Sequence, residues 1–210
     1  MRPSLAILIS GRGSNMAAIL GQAQAEDWAA DFCLVLSNNP DAPGLQTAAD
    51  YGIPTAVLNH RSYRGRRPEY DADLAARLQA AGVTWVILAG FMRILGPRFT
   101  QPFAGRILNI HPSLLPLYPG LNTHQRAIDA GDSVAGCTVH LVDETLDGGR
   151  RLAQAEVPVL PGDDANSLAA RVLQQEHRLY PQVVRDLIEE RLGLEPAASE
   201  HRQHAKEAVK

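Results

Sequence analysis

The chain has 210 residues, of which 45% are apolar and 20% are charged, and its formal net charge is -3. This composition is typical of a globular protein, and it lacks the excess of basic residues expected for binding to nucleic acid or to a membrane surface. The two cysteines, Cys33 and Cys137, are too few for a disulfide framework, so we expect both to be buried in a reducing, cytoplasmic protein with a small-molecule partner.

In the first half of the chain, short apolar runs alternate with segments of helical composition. A short run without polar alternation is typical of a strand covered on both faces, so these runs predict parallel strands joined by crossover helices. The predicted strands are 5–9, 32–36, 55–58 and 85–89, and the predicted helices are 16–25, 45–51 and 68–81. We expect this half, to about residue 105, to be Rossmann-like and to bind a phosphate or nucleotide.

The second half continues with strands predicted at 106–111, 137–142 and 152–159 and helices predicted at 123–130 and 165–191. The whole pattern predicts an α/β fold with a mostly parallel twisted sheet of about seven strands, flanked by helices, in one domain over residues 1–192. Residues 193–210 have almost no large apolar side chains, so we expect a disordered polar tail in which His201 and His204 are solvated.

A turn with two glycines, ISGRGSN at residues 9–15, lies between the first predicted strand and the first predicted helix. Free N–H groups and the helix dipole at such a point favour an anion, and glycines allow a phosphate to approach the backbone. The turn is not a Walker loop, and Met16 breaks the dinucleotide fingerprint. The alternative is a plain tight turn in which Ser14 or Asn15 caps the helix.

Polar side chains stand near the carboxyl end of the predicted strand 106–111. Asn109 and His111 lie on the same face of this strand, because side chains alternate with a period of two. An amide can donate to a developing oxyanion and an imidazole can exchange protons, so the pair suits acyl-type transfer. Asp147 could orient the imidazole if the fold brings it close. The alternatives are structural: an Asn that anchors the Pro-rich turn, a His that caps a loop, and an ordinary turn Asp.

Three further features allow more than one interpretation. A zinc site of His111, His124 and His140 is disfavoured because their spacings match no compact ligand pattern, so we expect no metal. Ser113 lies too close to His111 for a nucleophile elbow, and GxSxG is absent, which disfavours a serine hydrolase. The segment GFMRIL at 90–95 is either core with one arginine reaching solvent or the floor of a pocket for an aromatic ligand.

Five motifs follow one another along nearly the whole chain: LISGRGSN, LAGFMRIL, NIHPSLLPLYPG, CTVHLVDETLDGG and QQEHRLYP. Together they resemble the phosphoribosylglycinamide formyltransferase family, the folate-dependent transformylases of purine biosynthesis. In that resemblance, NIHPSLLP with a later LDGG marks enzymes that use formyltetrahydrofolate, and SGRGSN marks the glycinamide ribonucleotide branch. The resemblance implies transfer of a formyl group from 10-formyltetrahydrofolate to the amine of glycinamide ribonucleotide.

The resemblance also implies roles for the residues at matching positions. Those that would bind the ribonucleotide are Gly11, Arg12, Gly13, Ser14 and Asn15 at the phosphate and Glu176 at the ribose. Those that would bind formylfolate are Arg67, Met92, Arg93, Ile94, Leu95 and Asn109. Asn109 and His111 would stabilise the oxyanion of a tetrahedral intermediate, while Asp147 would keep His111 charged and help to organise a proton-carrying water.

Two places depart from the pattern that the resemblance implies. Arg150 and Arg151 follow the LDGG motif where relatives commonly have a proline and an apolar residue, and Asn122 stands where some relatives have histidine. Related enzymes that hydrolyse formylfolate or formylate initiator tRNA carry additional domains, which we do not expect in 210 residues. A non-catalytic nucleotide-binding module is a second alternative, but it would not retain all three residues of the proposed catalytic set. Whether the protein forms a homodimer is left open.

Overall fold

Strands and helices alternate through most of the chain, and the computed structural model describes residues 2–194. The strands are β1 (Ser4–Ile9), β2 (Asp31–Ser37), β3 (Thr55–Val57), β4 (Trp85–Leu88), β5 (Ile107–His111), β6 (Val134–Leu141) and β7 (Arg151–Pro158). The helices are α1 (Ser14–Ala25), α2 (Gly44–Asp50), α3 (Arg67–Ala80), α4 (Pro97–Thr100), α5 (Thr123–Asp129) and α6 (Ala165–Ile188), with a 3-10 turn at His60–Tyr63.

Within the described residues the strands form one sheet in the order β3-β2-β1-β4-β5-β6-β7. The pairs from β3 to β5 are parallel, whereas β5 with β6 and β6 with β7 are antiparallel. One face of the sheet packs against α1 and α6, and the other packs against α3 and α4. The predicted fold class is therefore confirmed.

All the predicted strands and helices are present, and no end is displaced by more than three residues. Strand β6 begins at Val134, before the predicted start, and contains Gly136 because a Cβ there would overlap the Ala155 carbonyl of β7. Helix α6 ends at Ile188, before the predicted end at residue 191. Just beyond this end, Glu190 takes a left-handed φ of 59°. The sequence did not predict α4 or the 3-10 turn, because each is too short to show a helical period.

Strand β5 is the place where the sheet changes from parallel to antiparallel pairing. Asn109 on β5 lies opposite Leu88 of β4 on one side and His140 of β6 on the other. The fully buried Tyr180 of α6 joins β4 to β5, since its hydroxyl lies 3.0 Å from the Leu88 carbonyl oxygen and 3.1 Å from that of Leu108. The carboxyl end of β5 thus meets the ends of β1 and β4 at one edge of the sheet, where ligands of such sheets bind.

The two cysteines were both predicted to be buried, and the prediction holds for only one of them. Cys137 is buried, and burial raises the pKa of its thiol to about 12. Cys33 was expected to be buried, but it is only half-buried, because the first residues of β2 are more exposed than the last ones. Its Sγ lies 3.5 Å from the Leu5 carbonyl oxygen.

The predicted tail lies mostly outside the described residues, including His201 and His204, while Leu194 packs partly buried against the core. The domain boundary near residue 192 stays a prediction. Across residues 2–194, every helix is too short or too polar to cross a membrane.

Candidate active site

The turn after β1 leads into α1 without a side-chain cap. Gly13 occupies the position before the helix with a left-handed φ of 68°, and no side chain accepts a hydrogen bond from the first turn. The alternative in which Ser14 or Asn15 caps the helix is therefore wrong, because a left-handed glycine at this position leaves the first N–H groups without such a partner. Uncapped N–H groups at a helix start form an anion site.

This turn lines an open cleft of about 260 Å³ at the carboxyl edge of the sheet. The lining residues come from the turn itself and from the end of β4: Ser10, Gly11, Arg12, Gly13, Ser14, Asn15, Ala89, Gly90 and Met92. Ser10 was not predicted as a site residue, but its Oγ accepts a hydrogen bond from the Met92 N–H at 2.8 Å. Its place at the end of a buried strand, directly before the first glycine, was the available signal.

Glu176 of α6 contacts Asn15, the last residue of this turn. The Asn15 Nδ2 donates a hydrogen bond of 2.7 Å to Oε2 of Glu176, and Glu176 is only 7% exposed. Burial raises the pKa of the Glu176 carboxyl, while the hydrogen bond from Asn15 and the charge of His111 oppose that rise. Asn15, one of the predicted phosphate residues, is thus in direct contact with Glu176, the predicted ribose residue.

The Asn109 amide is held in one orientation by His140. The Nδ1 of His140 lies 2.9 Å from the Leu141 carbonyl oxygen, to which it donates its proton, so Nε2 is left as an acceptor. The Asn109 Nδ2 lies 3.0 Å from that Nε2 and donates to it. Burial lowers the pKa of His140, which agrees with a neutral acceptor. A second N–H of the amide is left for a ligand.

His111 is 6% exposed and is held through both ring nitrogens. Its Nε2 lies 3.0 Å from the Tyr118 carbonyl oxygen and donates to it. Its Nδ1 faces Oδ2 of Asp147 at 3.5 Å, and the same oxygen accepts the Gly120 N–H at 2.8 Å. The other oxygen of Asp147 lies 3.8 Å from Nε2 of His140. The structure therefore brings Asn109, His111 and Asp147 together.

His140 was considered in the sequence only as an improbable zinc ligand, yet it contacts two of the three residues in this set. Its position depends on the register of β5 against β6, which pairs Asn109 with His140. No local signal in the sequence gives that register, because the two strands are separated by a long connection. Among residues 2–194 the structure contains no group of three or more His, Cys, Asp or Glu side chains placed to hold a metal ion.

The segment after β4 divides between core and surface. Leu95 is buried in the core, whereas Met92 and Ile94 are 73% and 59% exposed. The Arg93 guanidinium lies over the Tyr70 ring, 4.6 Å from its centroid. The segment therefore contributes two core residues, Phe91 and Leu95, and an exposed apolar surface beside the cleft, while a pocket for an aromatic ligand stays a prediction.

Arg67 lies at the start of α3 beside the same segment. Its Nε is 3.8 Å from Oδ2 of the buried Asp71, which also accepts the Gly96 N–H at 2.9 Å. Asp71 therefore ties the end of the 92–95 segment to the helix that carries Arg67. Of the residues that the sequence grouped as a formylfolate site, Met92 lines the cleft and Arg67 lies beside the end of the 92–95 segment.

Comparison with known proteins identifies the family of this chain. A family model described as formyl transferase matches residues 4–184. The chain belongs to the formyl transferase family. It is 46% identical to phosphoribosylglycinamide formyltransferase of Haemophilus influenzae, over 90% of this chain and 89% of that protein. It is 43% identical to the enzyme of the same name from Escherichia coli, over 93% and 92% of the two chains.

Solved structures of proteins with similar names have a similar fold. Glycinamide ribonucleotide transformylase 1 from Symbiobacterium toebii has a TM-score of 0.87 at 43% identity, and the match covers 90% of this chain and 89% of that one. Phosphoribosylglycinamide formyltransferase from Brucella melitensis has a TM-score of 0.83 at 49% identity, covering 90% and 96%. The chain also matches 15% of the length of the trifunctional purine biosynthetic protein adenosine-3 of Drosophila melanogaster, at 44% identity. The chain is thus an enzyme of the transferase class.

Gly11→Val should test the anion site without straining the turn. A Cβ at Gly11 would meet no atom within 4 Å, so the valine would stand in open space beside the cleft. We expect calorimetric affinity for ribose 5-phosphate to fall about tenfold or more, with a melting temperature close to that of the parent. Gly13→Ala is the contrast, because its φ of 68° should lower stability as well. Unchanged affinity in folded Gly11→Val would contradict the anion site.

Glu176→Gln should change how stability depends on pH. A carboxyl whose pKa is raised in the folded state binds more protons there than in the unfolded chain, so its contribution to stability falls as pH rises through the two pKa values. Glutamine can still accept from Asn15 but carries no charge. We expect urea unfolding to show the variant more stable than the parent by roughly 1 kcal/mol at pH 8, with the difference narrowing towards pH 4. A parent that is the more stable protein at pH 8 would contradict a raised pKa for the Glu176 carboxyl.

Proposed function

We propose that this enzyme transfers the formyl group of 10-formyltetrahydrofolate to the amine of glycinamide ribonucleotide, giving formylglycinamide ribonucleotide in de novo purine biosynthesis. The observation that carries the proposal is the placing of Asn109 and His111 beside Asp147, at the strand edge that also forms the cleft. The names of the similar proteins from Haemophilus influenzae and Escherichia coli support the same acceptor.

In this proposal the ribonucleotide lies in the cleft with its phosphate at the start of α1. The backbone N–H groups of residues 11–15 bind the phosphate oxygens, and the Arg12 side chain, which is exposed at the turn, adds positive charge. The Glu176 carboxylate accepts hydrogen bonds from the ribose hydroxyls. Its contact with Asn15 keeps the phosphate and ribose ends of the site at a fixed separation.

Formyltetrahydrofolate lies on the other side of the cleft, against the 92–95 segment. The exposed side chains of Met92 and Ile94 offer an apolar surface to its ring system, and Arg67 and Arg93 offer cations to its carboxylates. Asn109, at the end of β5, contacts the formyl group. The hydrogen bond between Ser10 and Met92 joins the two halves of the site.

The chemistry follows from the directions in which the side chains donate. The amine nitrogen attacks the formyl carbon, a C–N bond forms, and the carbonyl electron pair moves to oxygen. That oxyanion accepts hydrogen bonds from the free N–H of Asn109 and from the Nδ1–H of protonated His111, whose ring is held in place by the Tyr118 carbonyl. Such donors act on charge that develops during the reaction.

Collapse of the intermediate needs a proton to move from the attacking amine to the departing folate nitrogen. A water held by the Asp147 carboxylate carries this proton, and the bond between the formyl carbon and the folate nitrogen then breaks. Asp147 also faces the imidazole of His111 with its negative charge. The products are formylglycinamide ribonucleotide and tetrahydrofolate, so atoms and charges balance with side chains and water alone.

The proposal includes small-molecule partners, a cytoplasmic location and a single domain to about residue 192, divided near residue 105 into phosphate-binding and catalytic halves. A homodimer is compatible with it. The direct test mixes the protein with glycinamide ribonucleotide and 10-formyltetrahydrofolate and follows formylglycinamide ribonucleotide by mass spectrometry. A parallel reaction without the amine measures hydrolysis. Formate released at the same rate in both reactions would favour a deformylase and overturn the proposal.

Asp147→Asn should lower kcat at least about a hundredfold, the order observed when a preorganised charge-stabilising group is lost. Asparagine keeps the size of the side chain and can still accept the Gly120 N–H, so the variant isolates the negative charge. KM for both substrates should change little, because the charge acts during the reaction.

The control is Asp129→Asn, which removes an exposed carboxylate from α5 and should leave kcat unchanged. Steady-state kinetics of the two variants would separate a local effect from a change in net charge. A kcat for Asp147→Asn within a few fold of the parent would make Asp147 an ordinary turn residue.

A further inference from the structure

The loop between β5 and α5 contacts two of the proposed catalytic side chains through its backbone. The Tyr118 carbonyl oxygen accepts the hydrogen bond from Nε2 of His111, and the Gly120 N–H donates to Asp147. The orientation of His111 and Asp147 therefore depends on where this backbone lies. A contact that fixes the position of this loop therefore also fixes the orientation of the two proposed catalytic side chains.

A buried hydrogen-bond network shapes the first part of the loop. Thr138 of β6 is fully buried, and its Oγ1 donates to the Ser113 carbonyl oxygen at 2.6 Å and accepts the Leu115 N–H at 3.0 Å. The Ser113 hydroxyl in turn donates to the Leu117 carbonyl oxygen at 2.6 Å. These hydrogen bonds connect β6 to Leu117, the residue directly before Tyr118.

Two side chains of β7 complete this network at a single carbonyl. Nη1 of Arg151 donates to the Leu115 carbonyl oxygen at 2.8 Å, and Nε2 of Gln154 donates to the same oxygen at 2.9 Å. Gln154 also donates to Oγ1 of Thr138 at 2.8 Å. The bond from Arg151 is charge-assisted and is therefore the stronger of the two donors to Leu115.

We propose that Arg151 is a positioning residue for formyl transfer: it holds the Leu115 carbonyl and thereby fixes the loop backbone that orients His111 and Asp147. The inference rests on the proposed function, and it concerns one of the two positions at which the sequence departs from the family's usual pattern. Arg151 acts at a distance, because the only hydrogen bond that its side chain makes within residues 2–194 is to the Leu115 carbonyl.

The chain offers a matched control in the neighbouring Arg150. Arg150 is exposed, as Arg151 is, but its side chain makes no hydrogen bond or ion pair within the described part of the chain. Arg151→Met keeps the apolar stem and removes the donor, and Arg150→Met makes the same chemical change beside it. Arg151→Lys keeps a positive donor and tests rescue.

Two measurements test the effect of removing the Arg151 donor. Steady-state kinetics gives kcat and the two KM values, and proton NMR of protein labelled with ¹⁵N follows the ring Nε2 proton of His111, assigned by its absence in His111→Asn. We expect Arg151→Met to lower kcat about fivefold or more, the scale of one lost hydrogen bond, with both KM values within about twofold. The ring proton should exchange faster with water.

Arg150→Met should leave kcat and the ring proton as in the parent, and Arg151→Lys should recover most of kcat. An Arg151→Met protein with parental kcat, or one with lower kcat but an unchanged ring proton, would overturn the inference. If Arg151→Met does not fold, a parental ring proton and kcat in Arg151→Ala would overturn it equally. A parent without formyl transfer would refute the proposed function, while the NMR comparison would still test the contact between Arg151 and the loop.

Discussion

The carboxylate of Asp147 is the point at which three separate segments of the chain meet. It faces His111 at the end of β5, His140 on β6 and the backbone of Gly120 in the intervening loop. Asp147 itself takes a left-handed φ of 50°, and the turn is tight because a Cβ at Gly149 would overlap the Leu141 carbonyl. The glycines after Asp147 therefore allow the turn to bring a carboxylate from the β6–β7 connection back to the end of β5.

Around this point, each polar side chain has its orientation set by a neighbour. His140 holds the Asn109 amide and the Tyr118 carbonyl holds the His111 ring. In a site of low dielectric such fixed donors are stronger than they would be in water, and they need no reorganisation when charge develops. Burial also has a cost, which is visible in the raised pKa of Glu176 and the lowered pKa of His140. The arrangement of these side chains thus favours a charge that develops in the site, at a cost to the stability of the fold.

The sequence was sufficient to predict all the strands, the longer helices and part of the candidate site. Alternating apolar runs predicted the strands, and the period of two placed Asn109 and His111 on one face. The sequence could not show that His140 lies against Asn109, because this depends on the register of two antiparallel strands joined by a long connection. It also could not show that Asp147 reaches His111 or that Tyr118 supplies a carbonyl, since both depend on how loops fold over the sheet. The residues alone offered Asp147 as a candidate partner of His111, and the motif resemblance supplied Glu176; the roles of both remain proposals.

The proposed mechanism requires Asn109, His111 and Asp147 to act as one unit on the developing oxyanion. A double-mutant cycle on the single-turnover rate of formyl transfer tests this requirement most directly, with Asn109→Ala, Asp147→Asn and the double variant measured at saturating substrates. We expect the double variant to lose far less than the product of the two single losses, because removing either residue already disables the unit. Single losses that multiply in the double variant would show independent residues and would contradict the mechanism.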